Sequence, residues 1–261
     1  MAHQARLGLV TIHRYPFKRC GLPAASPLRP TIANLLSSTS SNALAAGMTR
    51  YVDAAHARGL KLRVDELNSV ACGGQPGVSN SFASALWALD ATFQLVRRGV
   101  DGVNVHTFPN GDYAPFELTH DANGWHALAQ PEYYGLLMFA RAAPQGSRLL
   151  PLSGGAAGRL AAWATRGRDG RVRVILINDA TARARMVTVR ARGRPGAATL
   201  QRLEARRVQS TTGVTLAGQT LGANTATLTA HEVTETVRRV GRGYTVRVPA
   251  ASSALLTLPR R

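Results

Sequence analysis

Residues 60–87 read LKLRVDELNSVACGGQPGVSNSFASALW, and this stretch decides the fold of the first part of the chain. The apolar run at residues 60–64 predicts a buried β-strand that ends at two acids, Asp65 and Glu66. A Cys-Gly-Gly-Gln-Pro-Gly turn follows at residues 72–77. At residues 81–98, apolar side chains recur at steps of three and four, which predicts a helix with a serine cap and a stop at Gly99. The stretch therefore predicts one βα unit with carboxylates at the carboxyl end of its strand.

The sequence on either side of this unit repeats the same order of elements. Strands are predicted at residues 7–13 and 100–106, and helices at residues 31–36, 43–56 and 131–140. The connections are long enough for the three strands to pair in parallel. Three strands cannot close a barrel by themselves. Residues 1–145 are therefore expected to form either a small open α/β sheet or the last three strands of a (β/α)8 TIM barrel. In both architectures, chemistry is carried out at the carboxyl ends of the strands.

After residue 145 the pattern changes to short apolar runs of period two. Gly, Asn and Asp punctuate these runs at the spacing of an antiparallel β-sandwich. In one run, Tyr244, Val246 and Val248 are expected to face the core while the residues between them face solvent. Residues 146–261 are therefore predicted to form a separate β-sandwich domain. Its acids are interpreted as solvated, and no catalytic cluster is predicted within it.

Composition excludes some functions and leaves others open. The chain has 261 residues, of which 45% are hydrophobic, and 32 Lys and Arg against 14 acids give a formal net charge of +18. A positive charge of this size would favour binding to a polyanion such as a nucleic acid or an acidic glycan. However, the arginines are scattered along the sequence, so we predict no nucleic-acid partner, whereas an acidic glycan remains compatible.

No apolar run is long enough to span a membrane. The start lacks a signal-peptide pattern, and secretion or a periplasmic location of a longer protein stays open.

The two cysteines, Cys20 and Cys72, each follow a predicted strand by a few residues. If those strands are neighbours, the loops after them lie on the same face, close enough for a disulfide. Two reduced, partly buried thiols are the alternative, and both interpretations stay open. Two cysteines without suitably spaced histidines predict no metal site.

Glu66 is the residue best placed for catalysis. A carboxylate at the end of a barrel strand can attack the anomeric carbon of a sugar when a second carboxylic acid, about 5–5.5 Å away, protonates the leaving oxygen. Asp65 is expected to point to the opposite face of the strand, because side chains alternate, so it cannot be that second acid. The alternative role for Glu66 is an ion pair with an arginine.

The first part of the chain contains three distinctive segments, DELNSVACGGQPGVSNSFASALWALD at residues 65–90, GVDGVNVHTF at residues 99–108 and YAPF at residues 113–116. Together they resemble glycoside hydrolase family 79, which contains the β-glucuronidases and heparanase-like enzymes. The resemblance extends over the part before residue 140, and the β domain is similar to the sandwich that follows the barrel in that family. It implies a retaining glycosidase that acts on β-linked glucuronic acid or its 4-O-methyl derivative and needs no cofactor.

The resemblance also implies roles for individual residues. Glu66 would be the nucleophile, and Tyr15 would donate a hydrogen bond that orients it. The backbone N–H groups of Gly73 and Gly74, with the hydroxyl of Tyr113, would bind the carboxylate of the sugar. Glycine suits this position because a bare backbone allows close approach of an anion.

Three further residues complete the implied site. Asn68 and Ser69 would shape the loop that binds the carboxylate. His106 would contact either a sugar hydroxyl or a neighbouring protein group, whereas His13 is interpreted as structural.

The sequence departs from the family at one important point. The acid/base glutamate of the family follows an asparagine, and this sequence contains no Asn-Glu pair. We therefore expect the chain to be the carboxyl-terminal portion of a glycosidase, to have little activity alone, and to have the missing amino-terminal half of the barrel as its partner. The alternative is a remnant that binds acidic carbohydrates without catalysis.

Overall fold

The structure is a computed structural model that describes residues 7–23, 25–109, 111–154, 158–191, 193, 196–222 and 228–260. The helices are α1 (Ile32–Leu35), α2 (Leu44–Ala46), α3 (Thr49–His56), α4 (Phe82–Arg97) and α5 (Pro131–Ala142), with a π-helical turn at Thr39–Ala43. The strands are β1 (Leu9–Arg14), β2 (Phe17–Lys18), β3 (Lys61–Leu67), β4 (Val70–Ala71), β5 (Gly102–Val105), β6 (Phe116–Asp121), β7 (Gly124–Ala129), β8 (Arg148–Leu150), β9 (Leu160–Arg166), β10 (Val172–Asn178), β11 (Arg185–Arg190), β12 (Ala198–Glu204), β13 (Thr215–Leu216), β14 (Thr220–Leu221), β15 (Leu228–Thr229), β16 (Glu235–Val237), β17 (Gly243–Val248) and β18 (Ser252–Thr257).

The three predicted strands of the first part form a parallel sheet in the order β1-β3-β5. Strand β3 lies in the middle, where Leu62 and Val64 are completely buried. Helix α4 is buried along almost its whole length, since its apolar residues cover more than one face. This arrangement confirms the predicted mixed α/β character and places the ends of all three strands at one edge.

Strand β3 carries a β-bulge at its carboxyl end. Pairing with β1 steps from Val64 to Glu66 while β1 advances by a single residue, and pairing with β5 shifts in the same interval. Burial therefore recurs at Leu62, Val64 and Leu67 rather than at every second residue. One extra residue in a strand turns the following side chains to the other face. The bulge thus moves Glu66 off the buried face on which strict alternation would have placed it.

The second part is an antiparallel β-sheet domain, as predicted. Its main sheet has the order β13-β12-β18-β10-β9-β8, with β16 also paired to β12. The two-stranded ribbon β11–β17 packs over one face of this sheet. Tyr244, Val246 and Val248 of the ribbon are buried against Val174 and Leu256 of the sheet. These side chains face the core together, which confirms the alternation predicted for that strand.

The two parts share an extensive interface. The first two N–H groups of α4, at Phe82 and Ala83, donate to the carbonyls of Ser210 and Val208 at 2.8 and 3.1 Å. A helix leaves its first N–H groups without partners inside the helix, so the β domain supplies the missing acceptors. The hydrophobic core also runs without a break from α4 into the β sheet. The helix that follows the candidate nucleophile is therefore anchored at its start by the β domain.

Several elements differ from the sequence-based expectations. The helix predicted at residues 43–56 is divided into α2 and α3 at Gly47, and the hairpin β6–β7 was not predicted. A strand predicted at residues 225–229 is described only as β15, because residues 225–227 lie outside the described ranges. The division predicted after residue 145 falls between α5 and β8 and remains a prediction. Within the described ranges, the helices all lack the length and apolar character that crossing a membrane requires.

Candidate active site

Glu66 lies at the carboxyl edge of the parallel sheet, where three side chains converge on its carboxylate. The Tyr15 hydroxyl donates to Oε1 at 2.5 Å, and Nδ1 of His13 lies 3.0 Å from Oε2. Nδ1 of His106 lies 3.6 Å from Oε1. The three partners come from β1, from the turn after β1 and from the end of β5. The neighbouring strands thus hold the carboxylate in one orientation while 27% of its side chain stays exposed.

The two tyrosines of the site remain protonated and able to donate hydrogen bonds. Burial raises the pKa of Tyr15 far above its ordinary value, and the hydrogen bond to Glu66 adds to the shift. Burial likewise raises the pKa of Tyr113. Nδ1 of His106 lies 2.9 Å from the Tyr15 hydroxyl and 2.7 Å from the Tyr113 hydroxyl. These contacts join the four side chains into one polar network around the carboxylate.

Buried Asn68 links the loops that carry this network. Its side-chain amide donates to the backbone carbonyls of His106 and Tyr113 at 2.9 and 3.1 Å, and its Oδ1 accepts from the N–H of Ser69 at 2.6 Å. The Ser69 hydroxyl in turn donates to the hydroxyl of Ser79 at 2.9 Å. Asn68 and Ser69 therefore shape the loop from inside the protein.

Glu132, which was absent from the predicted site, lies directly behind Asn68. It is buried at the start of α5, and its Oε2 accepts from the Asn68 amide at 3.2 Å. Burial raises its pKa to about 8, although the Asn68 hydrogen bond opposes that shift. The only sequence signal was a glutamate after Pro131, which is equally typical of an ordinary helix start.

The glycine turn at residues 72–77 runs beside the network, and a disulfide joins its first residue to Cys20. Cys20 and Cys72 are bonded, with 6.0 Å between their Cα atoms, which decides between the two alternatives left open by the sequence. Gly73 and Gly74 have φ angles of 88° and 89°, in the region that glycine alone adopts without strain. A Cβ on Gly74 would lie 2.8 Å from Cβ of Asp112. The turn therefore requires glycine for both its conformation and its packing.

The two glycine amides are not equivalent. The N–H of Gly74 donates to the carbonyl of Val70 at 3.1 Å, so it could bind a sugar carboxylate only by sharing that hydrogen. The carbonyl of Gly73 accepts from the N–H of Asp112 at 2.8 Å, which holds the turn against the loop that carries Tyr113. The rim beside this turn is charged, since Arg19 donates to Asp112 at 3.2 Å.

The structure revises two points of the sequence analysis. His13 was interpreted as structural, yet it contacts Glu66 directly. Asp65 accepts a hydrogen bond from Asn104 at 2.6 Å. As predicted, Asp65 lies outside the Glu66 network. The reason differs from the one given by the sequence, since the bulge rather than simple alternation sets the relative directions of Asp65 and Glu66. The described residues contain no group of three or more His, Cys, Asp or Glu side chains able to hold a metal ion.

Comparison with known families identifies the second part of the chain. Residues 162–256 match the glycosyl hydrolase family 79 C-terminal beta domain. The β domain belongs to glycosyl hydrolase family 79. This confirms the resemblance noted in the sequence, and the family 79 domain here packs directly on the helix that follows Glu66. No curated protein sequence matches the chain.

Several solved structures with a similar fold are glycoside hydrolases. A 4-O-alpha-L-rhamnosyl-beta-D-glucuronidase from Fusarium oxysporum 12S matches with a TM-score of 0.76 and 21% identity, over 96% of this chain and 53% of that one. The GH51 arabinofuranosidase from Xanthomonas axonopodis pv. citri matches with a TM-score of 0.63 and 20% identity, over 95% and 52%. An alpha-L-arabinofuranosidase from Thermotoga maritima matches with a TM-score of 0.64 and 16% identity, over 96% and 52%. This chain thus spans about half the length of these structures.

Proposed function

We propose that this chain is the nucleophile-bearing portion of a retaining β-glucuronidase. The observation that carries the proposal is the carboxylate of Glu66, exposed at the carboxyl edge of a parallel sheet and held by Tyr15, His13 and His106. The family 79 domain and the likeness to a rhamnosyl-glucuronidase support the assignment to glycoside hydrolases. We further propose that β1, β3 and β5 are strands of a (β/α)8 barrel and that the β-sandwich domain begins after residue 145.

The proposed reaction begins with attack by Glu66 on the anomeric carbon. The carboxylate oxygen forms a bond to that carbon while the bond to the leaving oxygen breaks, which gives a covalent glycosyl ester. The Tyr15 hydrogen bond keeps the attacking carboxylate oriented. Water then displaces Glu66 and releases the sugar with its original anomeric configuration. A proton must reach the leaving oxygen in the first step and must leave the water in the second.

We place the group that transfers this proton outside the chain. The contacts of Glu66 in the described residues are to a phenol and two imidazoles rather than to a second carboxyl. The sequence also lacks the Asn-Glu pair expected of the acid/base strand. Natural substrates with poor leaving groups are therefore expected to react slowly with this chain alone, and an amino-terminal half-barrel would be the catalytic partner.

Recognition of the uronic acid is proposed to occur at the glycine turn. The N–H of Gly73 and the hydroxyl of Tyr113 are hydrogen-bond donors that would bind the carboxylate of the sugar. The Arg19 guanidinium at the rim adds positive charge nearby. An uncharged glucoside would lack this interaction.

An activated substrate tests the proposal on the chain itself. The substrate 2,4-dinitrophenyl 2-deoxy-2-fluoro-β-D-glucuronide has a leaving group that departs without protonation, so the absent proton donor is not required. We expect release of dinitrophenolate in proportion to protein, and mass spectrometry should find the fluoroglucuronyl group on the peptide that contains Glu66. Glu66→Gln should remain unlabelled, and the matching fluoroglucoside should react more slowly. A label on another residue, or equal labelling of Glu66→Gln, would contradict the proposal.

A second candidate function is non-catalytic binding of acidic carbohydrate, which the net charge of +18 favours. This function predicts binding that weakens with added salt, because counterions screen the arginines. Binding of a polyuronide should then be the same for the wild-type chain and Glu66→Gln, with no covalent label on either protein.

A further inference from the structure

A concave site separate from the candidate active site lies between the α/β part and the β domain. It is a cavity of about 500 Å³ bounded by the π-helical turn, by α4 and by β9, and we call it the interlayer cavity. Its polar lining includes Ser41, Asp90, Arg97 and Asp179. Its volume falls within the range of about 300–1,000 Å³ that is typical of small-molecule pockets. The lining contains none of the residues of the candidate active site.

One wall of the interlayer cavity is already organised by hydrogen bonds. Asp90 accepts from the Trp163 indole N–H at 2.8 Å and from the Gln94 amide at 3.4 Å. Arg97 donates to Gln94 at 2.6 Å and to Asn42 at 2.8 Å. It also lies 5.2 Å from the centre of the Trp163 ring, within the range of a cation–π contact. The wall therefore presents fixed polar groups rather than mobile side chains.

Two other polar groups of the cavity have no such partners. Ser41 is 5% exposed, and neither its hydroxyl nor the Asp179 carboxylate makes a side-chain hydrogen bond to the described part of the chain. Burial and the nearby Asp90 raise the pKa of Asp179, although Arg159 opposes this effect. Both groups line the cavity, where hydroxyl groups of a ligand could supply hydrogen-bond partners.

The charges around the cavity indicate the class of that ligand. A cation would be attracted by Asp90 and Asp179 but repelled by Arg97 and Arg159, and an anion would meet the reverse. A neutral molecule with several hydroxyl groups avoids both conflicts, because each hydroxyl can donate to a carboxylate and accept from a guanidinium or serine. We propose that the interlayer cavity binds a neutral saccharide of one or two units. This binding would be separate from reaction at Glu66.

Ligand-observed NMR on the purified chain tests the inference, with glucose, galactose, xylose, mannose, cellobiose and lactose as probes. We expect saturation transfer to at least one of these sugars. Asp179→Ala and Ser41→Ala should each weaken its binding about tenfold, the loss expected when a hydrogen bond of about 1.5 kcal/mol is removed. Ser38→Trp, at the exposed rim of the cavity, should block binding without disturbing the core.

Control variants separate this site from the rest of the protein. Asp169→Asn changes an exposed acid paired to Arg173, and it should bind the sugar as the wild-type chain does. Glu66→Gln should also bind normally, so failure of the proposed glycosidase reaction would leave this result unaffected. The inference is overturned if none of the six sugars binds, or if binding survives Ser38→Trp. A calcium ion that bound the wild-type chain but not Asp179→Ala would overturn the proposed ligand class.

Discussion

Glu132 offers the sharpest test of the physics behind the candidate site. Its carboxyl group is buried behind Asn68, with a pKa of about 8 in the folded chain and an ordinary value of 4.5. Between these two values the folded state binds more protons than the unfolded state. The contribution of this group is therefore most favourable below pH 4.5, and it is lost progressively as the pH rises to about 8. Replacement by the isosteric, uncharged Gln should remove that loss.

The magnitude follows from the two pKa values. Each unit of difference corresponds to 1.36 kcal/mol, so the full loss is about 5 kcal/mol above pH 8. At pH 6 it is about 2 kcal/mol. We therefore expect the free energy of unfolding of Glu132→Gln, relative to wild type, to rise by about 2.5 kcal/mol between pH 6 and pH 9. For a chain of this size, that change corresponds to about 5–10 °C in melting temperature.

Urea denaturation followed by circular dichroism at several pH values measures this difference. Other titrating groups, such as Asp179, affect both proteins equally and cancel in the comparison. Glu117→Gln is the matched control, because it makes the same chemical change at an exposed glutamate in the β6–β7 hairpin. The reasoning would be refuted if the stability difference between Glu132→Gln and wild type did not change with pH, or changed only as the Glu117→Gln difference does. It would also be refuted if Glu132→Gln lost stability relative to wild type as the pH rose.

Three further changes test other parts of the structure. Replacing both Cys20 and Cys72 by Ser removes a cross-link between residues 52 apart in sequence, so the unfolded chain gains conformational freedom. The free energy of unfolding in urea should fall by about 4 kcal/mol, and an unchanged urea midpoint would contradict this. Gly135→Ala should destabilise the chain by about 2 kcal/mol, although Ala has the better helix propensity, because the added Cβ would clash with the Ala85 carbonyl oxygen. A higher melting temperature for this variant would show that α4 and α5 can move apart to accept the methyl group. Tyr15→Phe should slow labelling of Glu66 by the fluoroglucuronide about 10-fold or more, because a charge-assisted hydrogen bond to the carboxylate is lost. An unchanged rate of dinitrophenolate release would show that Tyr15 does not orient Glu66.

Much of the architecture could be predicted because local signals were strong. Long periodic runs identified α4 and α5, and alternation identified strands such as β17. The division of the helix at Gly47 was missed, although glycine is the weakest helix former after proline. The β6–β7 hairpin was missed although Asn123 and Gly124 form a turn pair typical of hairpins.

The candidate site was predicted less completely than the fold. Glu66, Tyr15 and Asn68 belong to one contiguous motif or to the strand beside it, so sequence reasoning could identify them. Glu132 lies far along the chain and reaches the site only because α5 packs against the loop after β3. The role of His13 depends on which residue of β3 lies opposite it, and that register cannot be derived from composition or periodicity.

The sequence by itself determined that a strand would deliver two acids to its carboxyl end, that a glycine turn and a long helix would follow, and that a β domain would come next. Only the tertiary structure decided which acid faces the site. Leu62, Val64 and Glu66 should share one face under strict alternation, and that face is buried. The bulge turns Glu66 to the opposite face, because pairing with both neighbouring strands fixes the register of β3 on either side of one extra residue.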